Sequence, residues 1–443
     1  MAFGGDAPLL RAEVPGPVGR RWVEALARTE CPALTARRAR RAEAAGAPYD
    51  PIVWVEALGA NVRDADGNVY VDLTAGFSVA SVGHRHPRVV EAVRAQAGTL
   101  LHALGDVHPS DVKVQLLERL AAIAPFPEAR TVLGLNGSDA ITAALKTALL
   151  ATGRPGVVAF EGGYHGLMYG PLAACGYRDA FRDPFEAHLS PHVAFAPYAR
   201  REGEVESALE ALDRVLSGAP VGAVLIEPAL GRGGALVPPA AFLRGVAARA
   251  RAHGAVLIVD EIFVGLGRLG RRFGHRAAGV EADLICLGKA LGGGMPLSAC
   301  VGRADVMAAW GDPDGEALHT ATFAGHPLAC AAALAALDVL DEEDLSTRAR
   351  ELGDRLRSDL ERAVGHHPSV RAVRATGLLA AVELDGAERT LRLVRRLLER
   401  GYLVLPAGPG AEAIALTPPL TIPWPLLEGF VAALAGCLAE EPA

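Results

Sequence analysis

The chain has 443 residues, 51% hydrophobic and 21% charged, with a formal net charge of −7. This length exceeds a usual single domain and provides for a sizeable core. The acidic balance leaves no basic stripe for nucleic acid. No apolar run reaches the length of a membrane-spanning helix, and Met1 to Arg20 carries acidic and proline residues where a secretory leader needs an apolar core. The six cysteines are scattered with no C-x-x-C pair and read as reduced, mostly buried thiols, so the expected setting is cytoplasmic.

In chain order, an arginine-rich helical stretch from Arg20 to Ala47 forms an N-terminal arm. It leads past Pro48 and Pro51 into a small sheet at Gly59–Asp72, where Asp66-Gly67 is a hairpin turn. Between about 130 and 305 short apolar runs alternate with helical periods. Thr131–Leu135, Gly156–Phe160, Val221–Ile226, Ala255–Val259, Leu284–Leu287 and Ser298–Val301 read as buried strands, with helices over Asp139–Ala151 and Pro239–His253. The pattern predicts an α/β fold, a mostly parallel sheet with helices on both faces. Helices follow at Pro327–Leu340 and Asp344–Val364, then short strands near Gly377–Leu384 and Leu403–Leu405 and a last helix at Pro425–Ala439. The expected division is an arm and small sheet over 1–75, a large domain over 76–330 and a smaller α+β domain over 331–443.

In open α/β sheets ligands gather beyond the carboxyl ends of the strands. Four points there stand out. Asn136-Gly137-Ser138-Asp139 opens a helix after a strand, which suits a phosphate, although an ordinary N-cap looks the same. Tyr164-His165-Gly166 offers a ring that could stack on a planar cofactor, or a structural pair. Asp260-Glu261 ends an apolar strand, where a buried carboxylate needs a cationic partner such as a protonated pyridine nitrogen or an arginine. The fourth point is Lys289. The chain has three lysines, and Lys113 and Lys146 sit in amphipathic stretches that read as solvated faces. Lys289 follows an apolar strand and precedes Gly292-Gly293-Gly294, expected to leave room for a ligand. Desolvation there favours the neutral amine that imine chemistry needs.

Together these blocks resemble the class III aminotransferases, within the fold-type I pyridoxal-phosphate enzymes. The resemblance runs from Gly59 to about Leu434 and is carried by Asp260-Glu261-Ile-Phe-Val-Gly-Leu-Gly-Arg-Leu-Gly270, Gly288-Lys289-Ala-Leu-Gly-Gly-Gly-Met-Pro296 and His319–Leu340. It implies a seven-stranded large-domain sheet and pyridoxal 5′-phosphate as cofactor, held by Lys289 as a Schiff base. It also implies that Lys289 shuttles the proton in an amino-group transfer from an amine or amino acid to a keto or aldehyde acceptor. Asp260 would pair with the pyridine nitrogen, Tyr164 would stack on the ring beside His165, and Gly137 and Ser138 would bind the phosphate. Thr322 would reach that phosphate from a partner subunit, which makes the expected assembly a homodimer with shared sites. Phe77, Glu227 and Arg232 are the candidate residues on the substrate side.

The chain departs from the family at four places. Phe263 stands where a Gln is frequent, and Asn136 replaces a Ser or Thr. Ala415, before Thr417-Pro-Pro-Leu420, stands where members acting on α-amino acids carry a carboxylate-binding Arg. Arg232, in Glu227-Pro-Ala-Leu-Gly-Arg-Gly-Gly234, stands where those enzymes hold that Arg with a Glu. The Glu/Arg pair has become Arg/Ala, which moves the positive charge to Arg232 unless Arg232 faces solvent. The same catalytic parts also serve racemases or epimerases, aminomutases and decarboxylases, and a non-catalytic scaffold could keep the fold. Gly265-Leu-Gly-Arg-Leu-Gly270 matches a dinucleotide fingerprint, but Asp260-Glu261 intervenes after the strand and no helix convincingly follows. His84-Arg-His86 and His366-His367 read as surface histidines, with no metal site expected.

Overall fold

The computed structural model describes residues 4–46, 51–311 and 317–441, which form two compact units, 87–346 and the two chain ends, up to 86 and from 347. Ala47 and Pro48 lie outside the described residues.

Unit 87–346 is built on seven strands, β1 (Ala129–Gly134), β2 (Gly156–Phe160), β3 (Val193–Ala196), β4 (Val221–Ile226), β5 (Val256–Asp260), β6 (Leu284–Leu287) and β7 (Ser298–Arg303). They lie in the order β1-β7-β6-β5-β4-β2-β3. β7 runs antiparallel to both neighbours, and every other pairing is parallel. β4, β5 and β6 are buried at every position, which is why they read as unbroken apolar runs without alternation. Helix α1 (Gly137–Thr152) presents Ala140, Ile141, Ala144 and Ala148 to Leu225, Ile258, Leu284, Cys286 and Cys300 of the sheet. Its small side chains let the helix lie close. Helices α2 (Val205–Gly218) and α3 (Ala240–Ala252) pack on β3 and β5, and α4 (Pro327–Glu342) packs on the turn Lys289–Gly292.

β3 escaped the sequence reading. It is a four-residue edge strand, only partly buried, and short 3-10 turns rather than a helix precede it.

In the other unit the hairpin is present, with Asn61–Asp64 paired to Val69–Asp72 and Gly67 at φ +84° in the turn. Trp54–Leu58 and Tyr402–Leu403 extend this sheet to four strands. A second, antiparallel sheet joins Val370–Thr376, Leu379–Leu384, Ala413–Leu416 and Leu405–Ala407. The arm is two helices, Pro17–Thr29 and Pro32–Ala44, instead of one. Pro32 takes the first position of the second helix, where its missing N–H costs nothing. No helix among the described residues is long and apolar enough to cross a membrane.

Candidate functional site

β2, β4, β5 and β6 run parallel, so their carboxyl ends share one edge of the sheet. Register then sets the chemistry. Ile226 pairs with Val259 and Asp260 with Cys286, which brings Glu227 beside Asp260 and starts the Gly288-Lys289 turn one strand further on. The loop after β2 adds Tyr164 and His165 at the same edge.

Lys289 sits at φ +44° at the start of a 3-10 turn after the extended Gly288. The residue is half-buried, and desolvation of its amine lowers its pKa from 10.5 to about 8, against the opposing charges of Asp260 and Glu227. Its Nζ lies 4.3 Å from the centre of the Phe263 ring. The glycines that follow have a different task from the one their sequence suggested. A Cβ on Gly293 would meet Ala336 Cβ at 3.1 Å and the Ala332 carbonyl at 3.2 Å, so this glycine lets the turn lie on α4, and Gly294 is the one with open space around it. The other two lysines differ as well. Lys146 is exposed, whereas Lys113 is half-buried and donates to the Gly105 carbonyl at 3.1 Å, so it is no solvated face.

Asp260 is 4% exposed. Its Oδ2 lies 2.8 Å from His165 Nδ1, and its Oδ1 accepts from the Ile262 N–H at 3.0 Å. His165 Nε2 is buried with no hydrogen-bond partner among the described residues. Glu227, equally buried, accepts from the Tyr164 N–H at 2.7 Å and the Gly231 N–H at 3.4 Å. Burial pushes its carboxyl up to about 7, with Asp260 adding to the rise and His165 opposing it. One buried carboxylate thus ties the loop after β2 to the loop after β4.

At the N-terminus of α1, Asn136 caps the helix and forms a reciprocal box with Asp139. The cap satisfies the Asp139 N–H, and among the described residues nothing accepts from the N–H groups of Gly137 and Ser138. These donors at a positive helix end suit an anion. A Cβ on Gly137 would stand 3.0 Å from Ile262 Cδ1, a tight contact, and a Cβ on Gly166 (φ +119°) would collide with Ser138 Oγ.

Arg232 extends from the β4 loop over three aromatic rings. Its guanidinium carbon lies 4.4 Å from the centre of Tyr164, 5.1 Å from Tyr177 and 5.7 Å from Phe181. Gly231 has no room for a side chain because the Phe263 ring packs against it. The sequence reading missed Tyr177 and Phe181, which lie just before and within the three-residue 3-10 turn Asp179–Phe181, too short for a periodic pattern to mark them.

Phe77 and Thr322 are placed differently from the residues at the strand ends. Phe77 belongs to the unit of the chain ends, 59% exposed in a left-handed turn where Ala75, Gly76, Phe77 and Ser78 have φ between 45° and 65°. The turn is held by Asp72, which accepts from Thr74 N–H (2.8 Å), Thr74 Oγ1 (2.6 Å) and Gly76 N–H (3.1 Å). His84 Nε2 lies 2.7 Å from the same carboxylate, so His84 is a half-buried partner of Asp72 and not a surface histidine. Thr322 is exposed in the loop before α4. The Gly265–Gly270 run lies in turns ahead of a short 3-10 helix, with Arg268 buried among them, and cradles no helix start.

The residues at the strand ends fit the cofactor that the sequence resemblance implies. A desolvated lysine is available to a carbonyl, a buried aspartate to a ring cation, and two free N–H groups with a serine hydroxyl to a phosphate. Comparison with known proteins points the same way. The family model for class III aminotransferases matches residues 43–438. The chain is 35% identical over 409 residues to the 5-aminovalerate aminotransferase DavT of Pseudomonas aeruginosa, covering 88% of this chain and 94% of that one. It is 39% identical over 396 residues to the acetylornithine aminotransferase of Mycobacterium bovis, covering 88% and 92%. A crystal structure of the ornithine aminotransferase from Toxoplasma gondii superposes with a TM-score of 0.80 at 32% identity, covering 88% of this chain and 91% of that one.

Proposed function

Because the chain belongs to the class III aminotransferases, pyridoxal-phosphate enzymes that transfer amino groups, we propose that Lys289 is the residue that binds the cofactor and moves the proton. The observation that carries this assignment is the position of Lys289 at the shared strand-end edge beside Asp260 and Glu227, with its Nζ 4.3 Å from the centre of the Phe263 ring, where desolvation lowers its pKa. Bound pyridoxal phosphate supplies a carbonyl for the donor amine and a ring that draws electrons from the breaking Cα–H bond.

The chain's own residues do the rest. Desolvation leaves more of Lys289 as the neutral amine than a solvated lysine has, so this side chain would serve both as the nucleophile that holds the cofactor and as the base that takes the proton from the donor's Cα. Asp260, fixed by His165 and the Ile262 N–H, supplies the counter-charge for a ring nitrogen. Gly137 and Ser138 would hold the phosphate, and Tyr164, next in sequence to His165, would offer a ring to stack on. Glu227 positions both loops through their backbone N–H groups. Loading the protein with pyridoxal phosphate and adding amines one at a time tests the assignment. Conversion to the pyridoxamine form is expected in the wild type and is lost in Lys289→Ala. Conversion at the wild-type rate in that variant contradicts it.

The working assembly in this reading is a homodimer in which Thr322 reaches the partner's phosphate site. Its support is the exposed, apolar character of the neighbouring surface. Leu100, Leu101, Leu104, Leu318 and Phe323 are all exposed, and the His102 and Phe323 rings, 5.3 Å apart, join their two segments. Mixing inactive Lys289→Ala and Thr322→Ala subunits yields one intact site per mixed dimer, so partial recovery of activity is expected. No recovery speaks against sharing. The five buried free thiols accord with a reducing, cytoplasmic setting.

A further inference from the structure

The geometry points to Arg232, caged by Tyr164, Tyr177 and Phe181, as the anion anchor of the donor pocket, selecting substrates that carry a carboxylate away from the amine being transferred. This rests on the assignment of Lys289 above and adds a substrate class to it.

A guanidinium carries five N–H donors in its plane, whereas the faces of aromatic rings attract its charge without accepting those hydrogens conventionally. Arg232 is half-buried, touches three rings, and makes no hydrogen bond or ion pair among the described residues. The nearby acid does not answer it. Glu227 directs its oxygens to the Tyr164 and Gly231 N–H groups. A planar fork with no protein acceptor among the described residues is the geometry that receives a carboxylate in two parallel hydrogen bonds.

The cage is also built to hold its position. Tyr177 is buried and packs on Leu172 and Cys175, with Tyr164 and Phe181 against the same cluster. The rings brace one another, Tyr164 to Tyr177 at 6.1 Å and 89°, and Tyr177 to Phe181 at 6.1 Å and 24°. Glu227 fixes the backbone of Tyr164 and of Gly231, the residue before Arg232, so the arginine and its first wall are positioned by one carboxylate. The charge of Arg232 is felt at Lys289, where it disfavours the ammonium form. Glu227, which holds Gly231 and lies beside Asp260 where β4 pairs with β5, also sets the anchor at the same sheet edge as Lys289.

The test uses the cofactor-loaded protein. Glutarate, which has carboxylates but no amine, is titrated by calorimetry into wild type, Arg232→Ala and Arg232→Lys, with inorganic phosphate as a parallel probe. Two donors of equal chain length, ω-aminopentanoate with a carboxylate and pentylamine without one, are then compared by their KM values. Arg232→Ala is expected to weaken glutarate binding and raise the KM ratio of amino acid to amine, each by roughly 10- to 100-fold, the range for hydrogen bonds to charged groups. Arg232→Lys, which keeps the charge and loses the fork, falls between. Thermal unfolding and cofactor absorbance of each variant show that the fold and the Lys289 site survive. An unchanged ratio, unchanged glutarate binding, or tighter binding of phosphate than of glutarate overturns the proposal while leaving Lys289 in place. A wild type that forms no covalent adduct at Lys289 overturns both.

Discussion

Asp260 and Glu261 are adjacent carboxylates, each buried and each set against the Nδ1 of a buried histidine. Asp260 meets His165 at 2.8 Å and Glu261 meets His275 at 2.7 Å. Yet they do different work, because successive side chains at a strand end leave it in opposite directions. Glu261 accepts from the Gly274 N–H at 3.0 Å and the His275 N–H at 2.9 Å besides the His275 ring, so its oxygens are spent on closing the loop over 261–275. Asp260 accepts from His165 and from one backbone N–H, and its charge acts on Lys289 and Glu227. Burial and a histidine partner are common to both pairs. The difference lies in the histidine, which for Glu261 belongs to the carboxylate's own loop and for Asp260 to the loop after a neighbouring strand.

Exchanging the two carboxylates in turn breaks the comparison most severely. Asp260→Ala is expected to lower kcat/KM by roughly 10²- to 10³-fold, the effect of removing one preorganised electrostatic partner, with circular dichroism preserved. Glu261→Ala should reverse that signature, losing about 3–5 kcal/mol of stability in denaturant unfolding while the folded fraction keeps its kcat within a few-fold. Turnover lost in Glu261→Ala without a change in stability would erase the distinction.

The pH dependence of cofactor capture sharpens it further. Lys289 must be neutral to react, so capture should rise with pH through a midpoint near 8 instead of the 10.5 of a solvated lysine. The negative charge of Asp260 favours the ammonium form, so Asp260→Asn moves the midpoint down. Glu227→Gln moves it the same way and by less, since Glu227 ranks behind Asp260 among the groups raising this pKa. Glu261→Gln should leave the midpoint in place. A shift in Glu261→Gln equal to that in Asp260→Asn would show that the two carboxylates act alike on the lysine.

Much of this was legible in the sequence for a simple reason. Lys289, Asp260, the Gly137-Ser138 pair and Tyr164-His165 each follow an apolar run. A parallel sheet sends the carboxyl ends of such runs to one edge, so composition and order alone gather them. The cage around Arg232 was not legible, because Tyr177 and Phe181 lie in chain without helical or strand period, where only three-dimensional packing brings rings together. Nor was the role of Glu261, whose partners lie 13 and 14 residues on in a turn-rich loop. His84 and Lys113 misled in the same sense, since a polar side chain that reaches back to a buried carboxylate or a carbonyl leaves no trace in hydrophobic periodicity.

The scarcity of lysine makes the central claim directly measurable. Borohydride reduction of the pyridoxal-phosphate-loaded protein, followed by proteolysis and mass spectrometry, fixes the cofactor on whichever amine holds it. The account predicts the phosphopyridoxyl mass on Lys289 and on neither Lys113 nor Lys146. A label on either of those two, or an active enzyme with Lys289 unlabelled, would contradict it.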